Sequence, residues 1–468
     1  MSPVDRAAGR PVEPHWGASK PRFKPYPEYR ESGVEWLGKV PVGWAVKKLW
    51  TIASVRLSNV DKKSVEGQVP VRLCNYVDVY YHERIGPGLE FMAATATPEQ
   101  VQRFSLHAGD VLITKDSESW TDIAVPAVVS VDLPEVLCGY HLAIVRPAPG
   151  CDGAFLARAF SAIGPRDQFR VAANGITRFG LGGGSIRSGL FATPISEEQR
   201  SIAAFLDWET ARIDALVAKK ERLVELLQEK RVAFITHVVT KGLHPNAPMK
   251  DSGHEWTGEV PAQWNVLRTK FVARLATGHT PSRQHPEYWV DCTIPWFSLA
   301  DVWQIRDGLV ERVSDTAERI SPHGLANSAA ELLPEGTVML SRTASVGFST
   351  IMGTQMATTQ DFVNWVPGPA ILSDYLLFVF RAMTPEFGRL TMGSTHQTIY
   401  MPDVGRFVTP LPPVDEQRGM VEFIRAETAR LDALVAKVRE AIALLKEYRT
   451  ALISAAVTGK IDVRGQAA

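Results

Sequence analysis

Two long stretches of this chain alternate apolar and polar positions with a helical period. No Pro or Gly interrupts residues 197–240, and Ala, Leu, Glu, Lys and Arg, which dominate there, are strong helix formers. In the second stretch Leu431, Leu434, Val438, Ala441, Leu445, Tyr448, Leu452 and Ala455 fall at alternating steps of three and four. That spacing is the a/d seam of a coiled coil. The matching positions of the first stretch are Ile213, Leu216, Lys220, Leu223, Leu227, Lys230, Phe234 and His237. The two lysines have to carry their ammonium groups out to water. Each helix follows a long globular segment, so the expectation is that the two pair with each other, antiparallel.

The two stretches are copies. Residues 209–219 read E-T-A-R-I-D-A-L-V-A-K and residues 427–437 read E-T-A-R-L-D-A-L-V-A-K, ten of eleven positions identical at an offset of 218 (427 − 209). Arg212 and Asp214, which the seam leaves outside, return as Arg430 and Asp432, and packing alone does not demand that. A lead-in is also repeated, S-G-V-E-W-L-G-K-V-P at 32–41 and S-G-H-E-W-T-G-E-V-P at 252–261, followed by Trp44 and Trp264. The order is therefore module, helix, module, helix, an internal duplication. The expected divisions are a flexible tail over 1–28, a first module over 29–193, a first helical region over 194–242, a second module over 243–411, a second helical region over 412–460 and a tail over 461–468. K-G-L-H-P-N-A-P at 241–248 supplies the Gly and Pro that end the first helix.

Within each module short β-rich runs, such as 111–114 and 142–145, alternate with turns such as Gly86-Pro87-Gly88. The fold class is α/β (mixed α+β). Residues 155–163 suit a short helix, and Gly180, Gly182, Gly183 and Gly184 suit a flexible turn rather than a nucleotide loop, for they do not follow a strand of a βαβ unit. G-T-V-M-L-S-R at 336–342 stands where G-D-V-L-I-T-K stands at 109–115: a turn, a buried strand, then a hydroxyl and a cation.

Composition changes this picture little. Lys+Arg and Asp+Glu are 51 each, and 45% hydrophobic residues can build real cores. Residues 251–410 hold eleven Lys/Arg against sixteen Asp/Glu, so cations of a nucleic-acid face have to be clustered. Cys74, Cys138, Cys151 and Cys292 show no paired spacing. With no signal peptide, that argues for a reducing cytoplasmic setting and against a zinc site. No run of about 18 apolar residues suggests a membrane span. Catalytic signatures are missing too: no Walker loop, no HExxH, no G-x-S-x-G and no Asn/Asp-Pro-Pro-Tyr/Phe run. Asp110 and Lys115 lack the second carboxylate of a nuclease pair, and His141 beside Tyr140 reads as a structural histidine.

What remains is polar recognition chemistry on loops. The candidate DNA contacts are Lys115, Ser117, Ser119, Asn174, Thr177 and Arg178 in the first module. In the second they are Thr280, Ser282, Arg283, Ser341, Arg342, Thr343, Gln360 and Gln397, with Thr395 and His396 beside the last. Arg to guanine and Asn or Gln to adenine are the expected base-edge pairings, and hydroxyls suit phosphates. The candidate helix-pairing residues are Ile213, Leu216, Leu223, Leu227 and Phe234 against Leu431, Leu434, Val438, Leu445, Tyr448 and Leu452.

These motifs resemble the DNA-specificity subunit of type I restriction–modification enzymes, from about residue 28 onward. The resemblance rests on the doubled S-G-x-E-W-x-G-x-V-P, on G-H-T-P-S-R…E-Y-W…I-P-W over 278–296, on G-T-V-M-L-S-R, on T-Q-D-F, and on the Pro…E-Q-R before each helix. It implies two target-recognition domains, each reading one half of a bipartite, asymmetric site in double-stranded DNA. Two antiparallel helical regions space them and dock two methyltransferase subunits, which restriction/translocase subunits can join. It also implies that this chain is non-catalytic and binds no cofactor, with S-adenosylmethionine, ATP and Mg held by the partner subunits. The seam from Ile213 to His237 spans roughly 36 Å at ~1.5 Å per residue, close to one turn of duplex at about 34–36 Å. The helix pair is thus expected to set the half-site spacing. A repeat-built protein-interaction scaffold without DNA recognition is the alternative.

Overall fold

Residues 23–391 and 397–466 are described in this computed structural model. They form two compact units. One combines the described residues up to 219 with those from 441 on, and the other is made of residues 220–440. Both boundaries fall inside long helices, not at the ends of the expected domains.

The first unit is centred on a five-stranded sheet, in the order Ala53–Leu57, Leu142–Pro147, Val111–Thr114, Pro126–Val129, Arg84–Ile85. Its middle strand, Val-Leu-Ile-Thr, is buried at every position, as an unbroken apolar run requires when both faces of a sheet are covered. A smaller sheet beside it runs Met92–Ala96, Val69–Cys74, Leu133–Cys138, Ser105–Leu106. The second unit repeats the plan with Ala273–Thr277, Phe362–Pro367, Val338–Ser341, Ser349–Met352 and Arg312–Val313, and its smaller sheet has three strands, Glu318–Ile320, Ile294–Phe297 and Ala357–Thr358. The register is duplicated as well: Leu142 faces Thr114 in the first sheet and Phe362 faces Ser341 in the second.

Three local readings are corrected. The glycines after Phe179 do not stay an irregular turn, because Gly183–Ser188 is helical around the fully buried Ile186. Part of the stretch expected as an N-terminal tail, from Phe23 on, is packed. The Phe23 ring packs edge-on to Phe205 with centroids 5.4 Å apart, and the buried Tyr26 donates its hydroxyl to Glu198 at 2.8 Å. Part of the stretch expected as a C-terminal tail is packed too, since Val463 is buried and the Asp462 amide donates to the Lys24 carbonyl at 2.7 Å. Residues 1–22 and 467–468 of those tails lie outside the described residues.

The long helices are α1, Ser196–Lys241, and α2, Val414–Val457. Within each unit the first half of one runs antiparallel to the second half of the other. In the first unit Arg449 Nε lies 2.9 Å from Asp214. In the second, Arg231 Nε lies 3.1 Å from Asp432, and the Phe234 and Phe423 rings meet at 5.5 Å. The two ion pairs are one pair written twice, because 214 + 218 = 432 and 231 + 218 = 449.

The seam follows a different phase from the expected one. Ile213, Leu227, Val438 and Leu452 are buried in it, and Phe234, Leu431, Leu445 and Tyr448 are partly buried. The alternate position falls four residues on, at Val217, Val224, Arg231 and Val238 in α1 and at Val435, Ile442, Arg449 and Ala456 in α2. Leu216, Leu223 and Leu434 are exposed, at 43%, 41% and 44%. In helices this rich in Leu and Val a three-then-four and a four-then-three step are equally apolar, so periodicity could not choose. Slimmer Val side chains take the interior, and each seam arginine is accommodated by the aspartate across from it.

Each helix start is fastened to its module by one buried glutamine. Gln199 accepts from the Asp152 amide at 2.8 Å and donates to the Gly150 and Pro194 carbonyls at 3.1 and 2.9 Å. Gln417 accepts from the Leu372 amide and donates to the Ala370 and Pro412 carbonyls, all at 2.9 Å. Both are fully buried. Each helix end is fastened by a lysine. Lys460 donates to the Leu37 and Lys39 carbonyls at 2.8 and 2.6 Å, and Lys241 donates to that of Glu259. This is the physical content of the repeated E-Q-R and of the repeated lead-in.

Candidate nucleic-acid interface

In the first module the buried strand Val111–Thr114 ends at Lys115, whose side chain is largely buried. The chain then pairs Asp116–Ser117 with Phe179–Gly180, and the Leu181 amide donates to the Lys115 carbonyl at 2.7 Å. Two loops far apart in sequence are thereby joined at one strand end. Asp116 organises the cations there. Lys115 Nζ is 3.2 Å from its carboxylate, Arg178 Nη2 is 3.3 Å away, and His141 Nδ1 is hydrogen-bonded to it. Lys115 also lies 4.5 Å from the centre of the Tyr140 ring. One carboxylate thus holds three basic side chains, of which Arg178 is the most exposed.

The other first-module candidates divide. Ser117 is buried and shares a 3.2 Å hydrogen bond with the Tyr76 hydroxyl, so it positions the loop and does not face a ligand. Ser119 accepts from the Thr121 amide at 3.3 Å and caps the turn Trp120–Asp122. Asn174 and Thr177 are exposed on the second loop, where the Asn174 side-chain Nδ2 donates to the Ala172 carbonyl at 3.2 Å.

In the second module Val338–Ser341 ends at Arg342 in the same way. The Ile399 amide donates to the Arg342 carbonyl at 2.8 Å, Thr343 bridges Thr398, and the Ala344 amide donates to the Gln397 carbonyl at 2.9 Å. Ser341 is fully buried, which removes it from the surface as Ser117 is removed. Arg342 is turned inward: its Nε donates to the Gln360 carbonyl at 3.0 Å and its Nη1 reaches that of Ile399 at 3.5 Å. Thr280 donates to the Gln360 side-chain oxygen at 2.8 Å. Its loop comes this close because residue 278 is glycine; a Cβ there would sit 2.2 Å from the Thr358 carbonyl oxygen. Thr280, Arg342, Thr343, Gln360 and Gln397 are thus brought together. Arg283 is not among them, lying 3.7 Å over the Trp289 ring and pairing with Glu318 at 2.6 Å. The Ser282 hydroxyl accepts from the Gln284 amide at 3.3 Å. Thr395 and His396 lie outside the described residues.

The sequence reading set aside His141, which stands in the middle of the first cluster. It also passed over the aromatic turn Tyr76–Tyr81, whose first tyrosine touches Ser117. Asp110 is accounted for without a reaction, since Arg146 holds it through two 2.7 Å contacts. Among the described residues no three His, Cys, Asp or Glu side chains are placed to hold a metal ion, and no helix is long and apolar enough to cross a membrane.

Comparison with known proteins finds similar sequences and folds. The family model for the type I restriction modification DNA specificity domain matches residues 261–443. The MjaIX specificity subunit of Methanocaldococcus jannaschii is 27% identical over 170 residues, a match that spans 36% of this chain and 38% of that protein. The putative MjaX specificity subunit of the same organism is 18% identical over 437 residues, 92% of this chain and 96% of that one. Among solved structures, a chain from work on complex assembly and conformational transition of the type I R-M system has a TM-score of 0.68 at 18% identity, over 90% of this chain and 99% of that one. The HsdS subunit from Thermoanaerobacter tengcongensis has a TM-score of 0.50 at 18% identity, over 90% and 98%.

Proposed function

We infer that this chain, a non-catalytic specificity subunit of the type I restriction–modification family, reads a bipartite and asymmetric DNA site, one half with each module. The observation that carries this reading is the contrast between scaffold and loops. Gln199 and Gln417 each hold one backbone amide and two backbone carbonyls at corresponding places, and the two main sheets have the same strand order. At the equivalent strand ends, however, one module offers Lys115, His141 and Arg178 around Asp116, and the other Thr280, Thr343, Gln360 and Gln397. One frame with two loop chemistries suits two different short sequences, the cations serving guanine and phosphate and the amides adenine.

The outward leucines left by the seam support a partner of the same kind on each helix. Leu216 and Leu226 are 43% and 45% exposed, and their repeats Leu434 and Leu444 are 44% and 58% exposed. Two equivalent apolar faces suit two methyltransferase subunits. Those partners carry S-adenosylmethionine, with ATP and Mg on restriction/translocase subunits, and the paired helices set the distance between half-sites.

The test is selection of bound duplexes from a randomised library by the chain reconstituted with its methyltransferase. Two short blocks of unlike sequence at a fixed separation are expected. Adding one heptad after both Leu227 and Leu445 lengthens each helix by about 10.5 Å, so the selected gap should grow by roughly three base pairs at ~3.4 Å each. A single block, or a gap unchanged by the insertion, overturns the bipartite reading or the spacing role respectively.

A further inference from the structure

Each module carries one short turn straight after the central strand of its smaller sheet. In the first it is Tyr76–Tyr81, after Val69–Cys74, and in the second Leu299–Gln304, after Ile294–Phe297. Both begin with the same reciprocal cap. The Asn75 amide donates to Asp78 at 2.6 Å, the Ser298 amide donates to Asp301 at 3.0 Å, and the Ser298 hydroxyl accepts from the Ala300 amide at 3.2 Å in return. Such a cap fixes the first turn of a helix. Both turns then bury a valine, Val79 and Val302, and send the next side chain outward. That next residue is Tyr80 in one and Trp303 in the other.

Trp303 is 71% exposed, and Tyr81, which packs edge-on against Tyr80 at 5.0 Å, is 74% exposed. Large aromatic surface left in water on a rigid, capped turn is unfavourable unless something covers it. The position says what does. Tyr76 shares its hydrogen bond with Ser117, and the Tyr80 hydroxyl reaches Asp122 at 3.4 Å, so the first turn flanks the Lys115 loop. In the second module the Thr359 amide donates to the Phe297 carbonyl at 3.0 Å, which sets the start of the turn next to Gln360. Trp50 and Phe271 are also exposed, but they sit on the turns Leu49–Thr51 and Thr269–Phe271, which flank the lead-in strands.

We propose that Trp303 and the Tyr80–Tyr81 pair press against base steps of duplex DNA and partly unstack them as the neighbouring loops read base edges. The inference rests on the DNA-reading function proposed above and adds a second component to its specificity. A flat aromatic ring can stack on any base, and apolar side chains that wedge between base pairs are a general way to bend a duplex. Flexible pyrimidine–purine steps unstack most readily. The half-site of each module therefore includes one step chosen for its deformability, which no polar side chain touches.

The experiment uses the chain reconstituted with its methyltransferase and the duplex that the library selection yields. Trp303→Ala should weaken binding to the intact duplex about tenfold, the scale of one lost base–aromatic stack, and Trp303→Phe should restore most of it. A duplex with one mismatch scanned through the second half-site should rescue Trp303→Ala at a single step, because that step is already loosened. Tyr81→Ala should behave likewise toward the first half-site. Unchanged binding by Trp303→Ala overturns the proposal, as does loss of co-purification with the methyltransferase, which makes the ring a protein contact. If the wild-type complex selects no bipartite site at all, the underlying DNA reading fails instead, a result visible before any variant is made.

Discussion

Arg342 shows how far side-chain orientation departs from what a residue's identity suggests. Its place just past a buried strand and between two hydroxyls suits a bidentate guanine contact, yet its guanidinium is turned toward the Gln360 and Ile399 carbonyls. Arg342→Ala is therefore expected to cost about 0.5–1.5 kcal/mol of stability, the scale of an ordinary hydrogen bond that is not fully buried. Urea unfolding measures that cost, and the base preferences selected by the variant should be unchanged. Relaxed preference at one guanine with normal unfolding would restore the recognition role. Ser117 and Ser341 tell the same story, for both were candidates by type and both are buried. Strand alternation decides which way such residues point. It stops being readable where the chain leaves the strand and a distant loop is laid across it, as 179–180 is laid across 116–117. Lys115 and Arg178 sit together only because of that pairing, and no local pattern announces it.

At the scale of elements, the long helices were legible and their contact faces only half so. The uninterrupted run and the seven-residue repeat fixed their existence, and Gly242 followed by Pro245 and Pro248 marked where the first one ends. Choosing the phase needed the ion pairs, because Arg231 and Arg449 look like poor seam residues until Asp432 and Asp214 are seen opposite them. Neighbouring substitutions separate the two faces. Val435→Asp puts an unpaired carboxylate into the seam and should destabilise the chain by about 3 kcal/mol or more, seen as a lowered melting temperature. Leu434→Asp, one residue earlier, should leave melting within about 0.5 kcal/mol and abolish co-purification with the methyltransferase. If Leu434→Asp unfolds the chain and Val435→Asp does not, the original phase was right. The capped aromatic turns were also within reach of the sequence. Asp78-Val79-Tyr80 and Asp301-Val302-Trp303 line up once the modules are compared with each other, although each alone is too short to stand out.

For the whole molecule, the duplication was the most legible feature, since it needs only the chain compared with itself. The division into compact units was not. It cuts both helices because antiparallel pairing gives each module the near half of its own helix and the far half of the other. The repeated aspartate–arginine contact has a consequence for the chain's origin. Asp432 and Arg449 both lie in the second half of the sequence, and each is the repeat of a residue whose partner is the other: Asp214 meets Arg449, and Asp432 meets Arg231. A polypeptide of residues 243–468 alone thus carries both members of the contact and should find them in a second copy of itself. Sedimentation should give twice its monomer mass at micromolar concentration. Asp432→Arg should break that association and Arg449→Asp added to it should restore it, whereas a persistent monomer would show that the two halves now depend on their differences. If the pairing occurs, the chain descends from a half-length protein that stood as a symmetric homodimer, and joining two copies in one polypeptide was the step that let the loops of the two modules drift apart.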